Sequence, residues 1–193
     1  KPPTVGARMR EYVDEVGASV NRGSYQAAQQ AELVTLRLRQ RLCALFRFAD
    51  PAHVILTPGN TWGLNMLLLG ALRRGDHVLV SAMEHNAVMR PLTQLAKHGV
   101  AFDRIPCDAE GRLQADRIET MLRPNTRLVL LAHASNVSGT VQDAAAVGEI
   151  CAARGIPFAL DAAQTAGHIP LDFAALRLSA LSVPAHKGLM GPQ

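Results

Sequence analysis

Residues 75–105, GDHVLVSAMEHNAVMRPLTQLAKHGVAFDRI, carry the pattern that decides the fold class. Gly75-Asp76 leads into His77 to Ser81, a short, mostly apolar run. A helical stretch follows around Arg90 to Lys97, and Ala101 to Ile105 reads as the next strand. Apolar runs with little sign of a polar face belong to strands covered on both sides. The alternation continues outward. Toward the C-terminus a helix near Ala115 to Leu122 precedes the strand Arg127 to His133, a helix from Ala144 to Ala153 precedes Pro157 to Leu160, and the mostly apolar Ala180 to Ala185 leads to His186-Lys187. Toward the N-terminus a helix spans Thr61 to about Leu72. Before it, Val54-Ile55-Leu56 is stopped by Thr57-Pro58-Gly59 and reads as a strand entering a turn. Gln26 to Phe48 reads as a long helix with Ala31, Val34, Leu38, Leu42 and Leu45 at helical spacing, and Ala7 to Ser19 as a short one. No internal repeat or low-complexity linker interrupts this order. The expectation is an α/β domain in three layers, with helices on both faces of a mostly parallel sheet.

Composition bounds the function. A chain of 193 residues with 48% hydrophobic content can bury one sizeable core, so one domain is the default. The 20 Lys+Arg and 16 Asp+Glu leave a net charge of +4, with no run of like charges that would mark a nucleic-acid arm. Arg37, Arg39, Arg41 and Arg47 fall within or at the end of a helical stretch and read as a solvated face, so no nucleic-acid partner is expected. Cys43, Cys107 and Cys151 form no C-x-x-C pair. That argues against a zinc site or a disulfide framework and fits a reducing compartment. No apolar run approaches the ~18 residues of a membrane span, and no signal peptide is evident. The expectation is a soluble, cytoplasmic protein with no membrane partner. Because the chain opens on Lys1 and closes on Gly191-Pro192-Gln193, a fragment is expected.

In parallel α/β sheets ligands bind outside the carboxyl ends of the strands. That rule brings five polar clusters to one edge: Thr57 to Thr61, Met83 to Asn86, Ser135 to Asn136, Asp161 to Gln164 and His186 to Lys187. Lys187 is either a surface lysine or an amine desolvated at the inner edge of the sheet, where loss of solvent favours the neutral nucleophile. Asp161 is either the cap of a following helix or the partner of a pyridinium nitrogen. Gln164, about a turn further on, would aim an amide at the same ligand. Gly59-Asn60-Thr61 is a short βα turn whose N–H groups, with the Thr61 hydroxyl, suit a phosphate, although many such turns bind nothing. His85 either stacks on a flat ring or caps a helix. Asn136 is either a turn residue or a donor to a phenolic oxygen.

Six strings now stand in order: NRGSY (Asn21 to Tyr25), LTPGNTWGLN (Leu56 to Asn65), SAMEHNAV (Ser81 to Val88), HASNVSGT (His133 to Thr140), DAAQTAGHIPLD (Asp161 to Asp172) and HKGLMGPQ (His186 to Gln193). Together they resemble the signature blocks of class V pyridoxal-phosphate (PLP) enzymes of the cysteine desulfurase and selenocysteine lyase type. The resemblance covers essentially the whole chain and implies the large PLP-binding domain of the fold type I transferases, with residues 1–193 truncated at both ends and the small C-terminal domain absent.

Carried onto these positions, it implies PLP held as an imine by Lys187, with His186 against the phosphate and Asn60 and Thr61 holding that phosphate. It implies His85 stacked on the ring, Asp161 on the ring nitrogen, Gln164 on the phenolic oxygen and Asn136 close to ring and substrate, with Lys187 and His85 as the catalytic pair. The implied activity is conversion of cysteine to alanine with sulfur left as a persulfide. The partners would be a small amino-acid substrate, a second copy in a full-length homodimer, and a sulfur-acceptor protein. An aminotransferase, epimerase or kynureninase-like lyase of the same superfamily is the alternative, and an inactive scaffold of this fold is another.

Departures are visible too. Pro184 stands where the family usually has a serine or threonine, Ala185 follows it, and Ser179 stands at a family aspartate. None of the three cysteines occupies the place of the family's sulfur-accepting cysteine, so they read as small core residues.

Overall fold

A computed structural model describes residues 1–192; Gln193 lies outside the described residues. Five parallel strands make one sheet in the order β2-β1-β3-β4-β5, with β1 at His77–Ser81, β2 at Ala101–Ile105, β3 at Thr126–Ala132, β4 at Phe158–Asp161 and β5 at Ala180–Ser182. Helices α1 (Pro3–Glu15), α2 (Gln26–Phe46) and α3 (Asn60–Ala71) precede the sheet. Helices α4 (Asn86–Lys97), α5 (Asp116–Met121) and α6 (Ala144–Ala153) connect successive strands from β1 to β4.

The apolar runs of the central strands follow from two cores. Successive side chains of a strand point to opposite faces. On one face Leu79, Val129, Leu131, Phe158 and Leu160 pack with Ile118 of α5 and with Val147 and Cys151 of α6. On the other, Val78, Val80, Leu128, Leu130 and Ala159 pack with Leu64 and Leu68 of α3 and with Val88 and Leu92 of α4. This is the three-layer arrangement expected, with the sheet parallel throughout. Strand order runs outward in opposite directions from the β1–β3 neighbours, and the crevice at such a switch point is where α/β sheets bind ligands.

Three sequence readings change. Val54 to Leu56 is not a strand: it follows a 3-10 turn at Pro51–His53 and runs to α3 with Ile55 62% exposed and Leu56 45% exposed. An apolar run becomes a strand only where a neighbouring edge accepts its hydrogen bonds, and this one pairs with none of the strands. In α2, Ala31 is buried and Leu42 half-buried, but Val34, Leu38 and Leu45 are exposed. The helix meets the core mainly through its C-terminal Phe46, with Leu42 packed against the same cluster. Helix α4 starts at Asn86, four residues before the expected Arg90, because His85 caps it and Pro91 is accommodated inside. The remaining shifts are at element ends: α1 spans Pro3–Glu15 rather than Ala7 to Ser19, and α2 stops at Phe46.

Candidate active site

One cleft of about 370 Å³ opens at the carboxyl ends of the strands. Its lining draws on all five polar clusters through Asn60, Thr61, His85, Asn136, Asp161, Gln164, His186 and Lys187. The first cluster arrives by the extended link into α3 rather than by a strand.

Asp161 ends β4 and is buried. Its Oδ1 accepts two protein hydrogen bonds, from Asn60 Nδ2 at 2.8 Å and from the Ala163 backbone N–H at 3.0 Å. The turn-capping role is therefore real, and it leaves Oδ2 without a donor among the described residues. Burial raises the Asp161 carboxyl above its ordinary value, opposed by the Asn60 and Ala163 N–H groups and by nearby His85 and Lys187.

His85 caps α4: its Nδ1 accepts from the Ala87 N–H at 3.0 Å. In the neutral ring that leaves the proton on Nε2. Capping and lining the cleft turn out to be compatible, since the cap bond fixes the plane of a ring that also borders the cavity.

Glu84, to which sequence reasoning gave no role, holds this segment to the sheet. Its Oε1 accepts from Ser81 Oγ at 2.5 Å and from the Ala132 N–H at 2.8 Å, tying the end of β1 to the end of β3 at the switch point. Its Oε2 is buried with no partner among the described residues. Burial pushes the Glu84 carboxyl up to about 7, and the Asp161 charge adds to the rise. A carboxyl so close to a strand end was visible in the sequence; its burial was not.

Lys187 sits in a turn closed by hydrogen bonds from the Met190 N–H to the Lys187 carbonyl at 2.8 Å and from the Gly191 N–H to the Ala185 carbonyl at 2.7 Å. That turn and the one after Asp161 meet backbone to backbone. A Cβ on Gly167 would fall 2.4 Å from the Gly188 carbonyl oxygen, and one on Gly188 2.3 Å from the Ala166 carbonyl oxygen. Lys187 itself is exposed, contrary to the desolvation expected, because it lies beyond the edge strand β5, which is paired on one side only. Pro184 is buried in the cleft wall, while His186, Asn136 and Thr61 are exposed at its rim and Gln164 is half-buried.

The side chain of Asn60 does something the sequence did not suggest. Its amide spans Asp161 and Ser182, whose Oγ donates to Asn60 Oδ1 at 2.6 Å. Any contact of Asn60 with a phosphate is left to its backbone N–H in the first turn of α3, a helix whose N-terminus has no side-chain cap. Neither Ser182 nor the cleft-lining Trp62 was singled out from sequence. Ser182 acquires meaning only from the register that pairs it with Asp161.

A family described as "Aminotransferase class-V" matches residues 1–193. The chain belongs to the class-V aminotransferase family. Cysteine desulfurase IscS of Vibrio atlanticus (strain LGP32) is 36% identical over 174 residues, covering 88% of this chain and 43% of that protein. The IscS protein of Photorhabdus laumondii is 33% identical over 196 residues, covering 98% and 48%. Among solved structures, the apo cysteine desulfurase of Thermococcus onnurineus NA1 superposes with a TM-score of 0.91 at 29% identity, over 100% of this chain and 49% of that one. The cysteine desulfurase CsdA of Escherichia coli gives 0.85 at 26%, over 100% and 49%. The chain spans about half the length of the curated relatives it matches.

The class-V family is PLP-dependent, and the cleft can be tested against that cofactor. Asp161 Oδ2 is free for a ring N–H, the uncapped start of α3 offers backbone donors to a phosphate, and Lys187 makes no ion pair among the described residues. The cavity volume falls in the ordinary small-ligand range of about 300–1,000 Å³. The residues fit the group.

Of the three cysteines, Cys43 and Cys151 are buried and Cys107 half-buried, and none lines the cleft. Burial pushes the Cys151 thiol up to about 12, which keeps it an inert thiol. Among the described residues no helix is long and apolar enough to cross a membrane.

Proposed function

We propose that this chain supplies the cofactor-binding half of a PLP enzyme acting on an amino acid, and that the amino acid is cysteine, with alanine and enzyme-bound sulfur as products. The observation that carries the reading is the meeting of an unpaired lysine amine, a buried aspartate with one free oxygen and an uncapped helix N-terminus in one cleft. The preference for cysteine rests on the SAMEHNAV block and on the resemblance to relatives named cysteine desulfurase.

When bound, the cofactor supplies a sink for the electrons of a substrate Cα–H bond. Asp161 Oδ2 holds a proton at the ring nitrogen. Lys187 Nζ anchors the group and then takes and returns the Cα proton. The His85 ring, fixed by its bond to Ala87, shields one face from water. Thr61, His186 and the N–H groups at the start of α3 hold the phosphate, while Gln164 and Asn136 reach the polar edge of the ring. The sulfur-accepting thiol comes from outside residues 1–193. The working unit in this reading is a homodimer that passes sulfur to an acceptor protein.

Borohydride reduction in the presence of PLP tests the assignment. The full-length protein is expected to be yellow, to bleach, and to carry the reduced adduct on Lys187 by peptide mass spectrometry. A Lys187→Ala variant that still forms a reducible adduct in this cleft overturns it. Alanine and persulfide formed from cysteine then separate a desulfurase from an aminotransferase.

A further inference from the structure

The functional reading uses Asp161 Oδ2 and leaves unexplained the network that ties α3, and through it β5, to the opposite oxygen. Asp161 and Ser182 are register partners at the ends of β4 and β5, so in parallel strands their side chains leave the sheet on the same face. Asn60, in the first turn of α3, lies over both. Ser182 Oγ donates to Asn60 Oδ1 at 2.6 Å, and Asn60 Nδ2 donates to Asp161 Oδ1 at 2.8 Å. The carboxylate, which only accepts, decides which way the amide points, and the serine hydroxyl holds its far end in that orientation. A flipped amide would set its oxygen against the carboxylate and lose the bond to Asp161, although the serine hydroxyl could still accept from Nδ2. Room for the serine is built in at Gly63, where a Cβ would stand 3.2 Å from Ser182 Oγ.

Resting on the assignment of Asp161 to the ring nitrogen, we propose that Asn60, tethered by Ser182, is a positioning residue that turns Asp161 so that Oδ2 faces the ring and keeps that carboxylate ionised. Two consequences follow from the geometry. With Asn60 Nδ2 and the Ala163 N–H both on Oδ1, rotation of the carboxyl is blocked and the free lone pairs all belong to Oδ2. Both donors also favour the charged form in a buried setting, where an unassisted carboxyl tends to protonate and would then present no charge to a pyridinium.

The test compares two ligands that differ only at the ring atom: pyridoxamine 5′-phosphate and its analogue with C–H in place of the ring nitrogen. Neither carries an aldehyde, so Lys187 traps neither, and calorimetry reads affinity directly on full-length apoprotein. Wild type is expected to prefer the nitrogen ligand. Asn60→Ala is expected to lose about tenfold of that preference while binding of the carbon analogue stays within about threefold, the size of one hydrogen bond to a charged group. Ser182→Ala, which only removes the tether on the far end of the amide, should lose a smaller part of the same preference, and circular dichroism melts show that both variants are folded. Equal weakening toward both ligands, with the preference intact, would mean that Asn60 merely braces the fold and would overturn the inference. A wild type with no preference for the nitrogen ligand would instead sink the assignment of Asp161 itself.

Discussion

At the scale of single residues, two buried carboxyls share one end of the sheet and are treated differently. Asp161, which lines the cleft, receives an amide and a backbone donor on one oxygen and none on the other among the described residues; Glu84 receives two donors on one oxygen and has the other sealed in. Asp161→Asn preserves an acceptor at Oδ1, so the fold is expected to hold, but a neutral amide cannot stabilise a charged ring nitrogen. Exchange of the substrate Cα proton in heavy water, followed by NMR on the full-length enzyme, should fall by ~10²- to 10³-fold.

For Glu84 the consequence is a pH dependence of stability. The carboxyl is raised in the folded state from an ordinary 4.5 to about 7. The folded chain therefore binds the extra proton between those values, and the stabilisation is complete below about 4.5 and lost as pH rises through about 7. The loss amounts to at most ~3 kcal/mol. Glu84→Gln should remove this slope, so that urea midpoints at pH 5 and pH 8 differ less in the variant than in the wild type. An unchanged difference would mean that the slope comes from another group.

At the scale of elements, the site depends on how closely two turns approach. Asp161 ends β4 and the turn after it carries Gln164, the turn after β5 carries Lys187, and the two turns meet backbone to backbone through Gly167 and Gly188. Gly167 also has φ +83°, a conformation that costs a residue with a Cβ about 1–2 kcal/mol. Gly167→Ala adds a collision with backbone that no rotamer relieves, so a total loss of about 2–4 kcal/mol is expected, seen as a Tm roughly 5–15 °C lower. Gly155→Ala is the comparison: φ is +64° but nothing lies within 4 Å of the added Cβ, so only the smaller backbone cost should appear. The Gly167 variant should also lose borohydride labelling at Lys187, and the Gly155 variant should keep it.

At the scale of the whole molecule, in the proposed function residues 1–193 supply a cofactor cleft and the sulfur-accepting thiol comes from elsewhere. The three cysteines sit away from the cavity lining, and two of them are core residues. The isolated 193-residue chain given PLP and cysteine is expected to make alanine no faster than free PLP does; a faster rate would show that one of these cysteines serves. Apolar side chains also stand exposed on α2 (Val34, Leu38 and Leu45) and along one stripe of α3 (Trp62, Met66 and Leu69). Surface of that kind is usually covered by something further.

Much of this was legible along the chain. Periodicity alone located β1, β2 and α6 to the residue and most other elements to within a few, because strands buried on both faces must be apolar throughout and their connectors must turn polar at the ends. The rule that parallel sheets bind at their carboxyl edge then gathered the residues that line the cleft. What stayed hidden was pairing. Whether Val54 to Leu56 found a neighbour, whether the apolar face of α2 was covered, whether Lys187 was desolvated, and that Asn60 would reach Asp161 across 101 residues and Ser182 across 122, depended on which elements came to lie side by side. A sequence specifies each segment's preference for burial and shape; hydrogen-bond partners and the exposure of a strand end or helix face come into being only when distant segments meet.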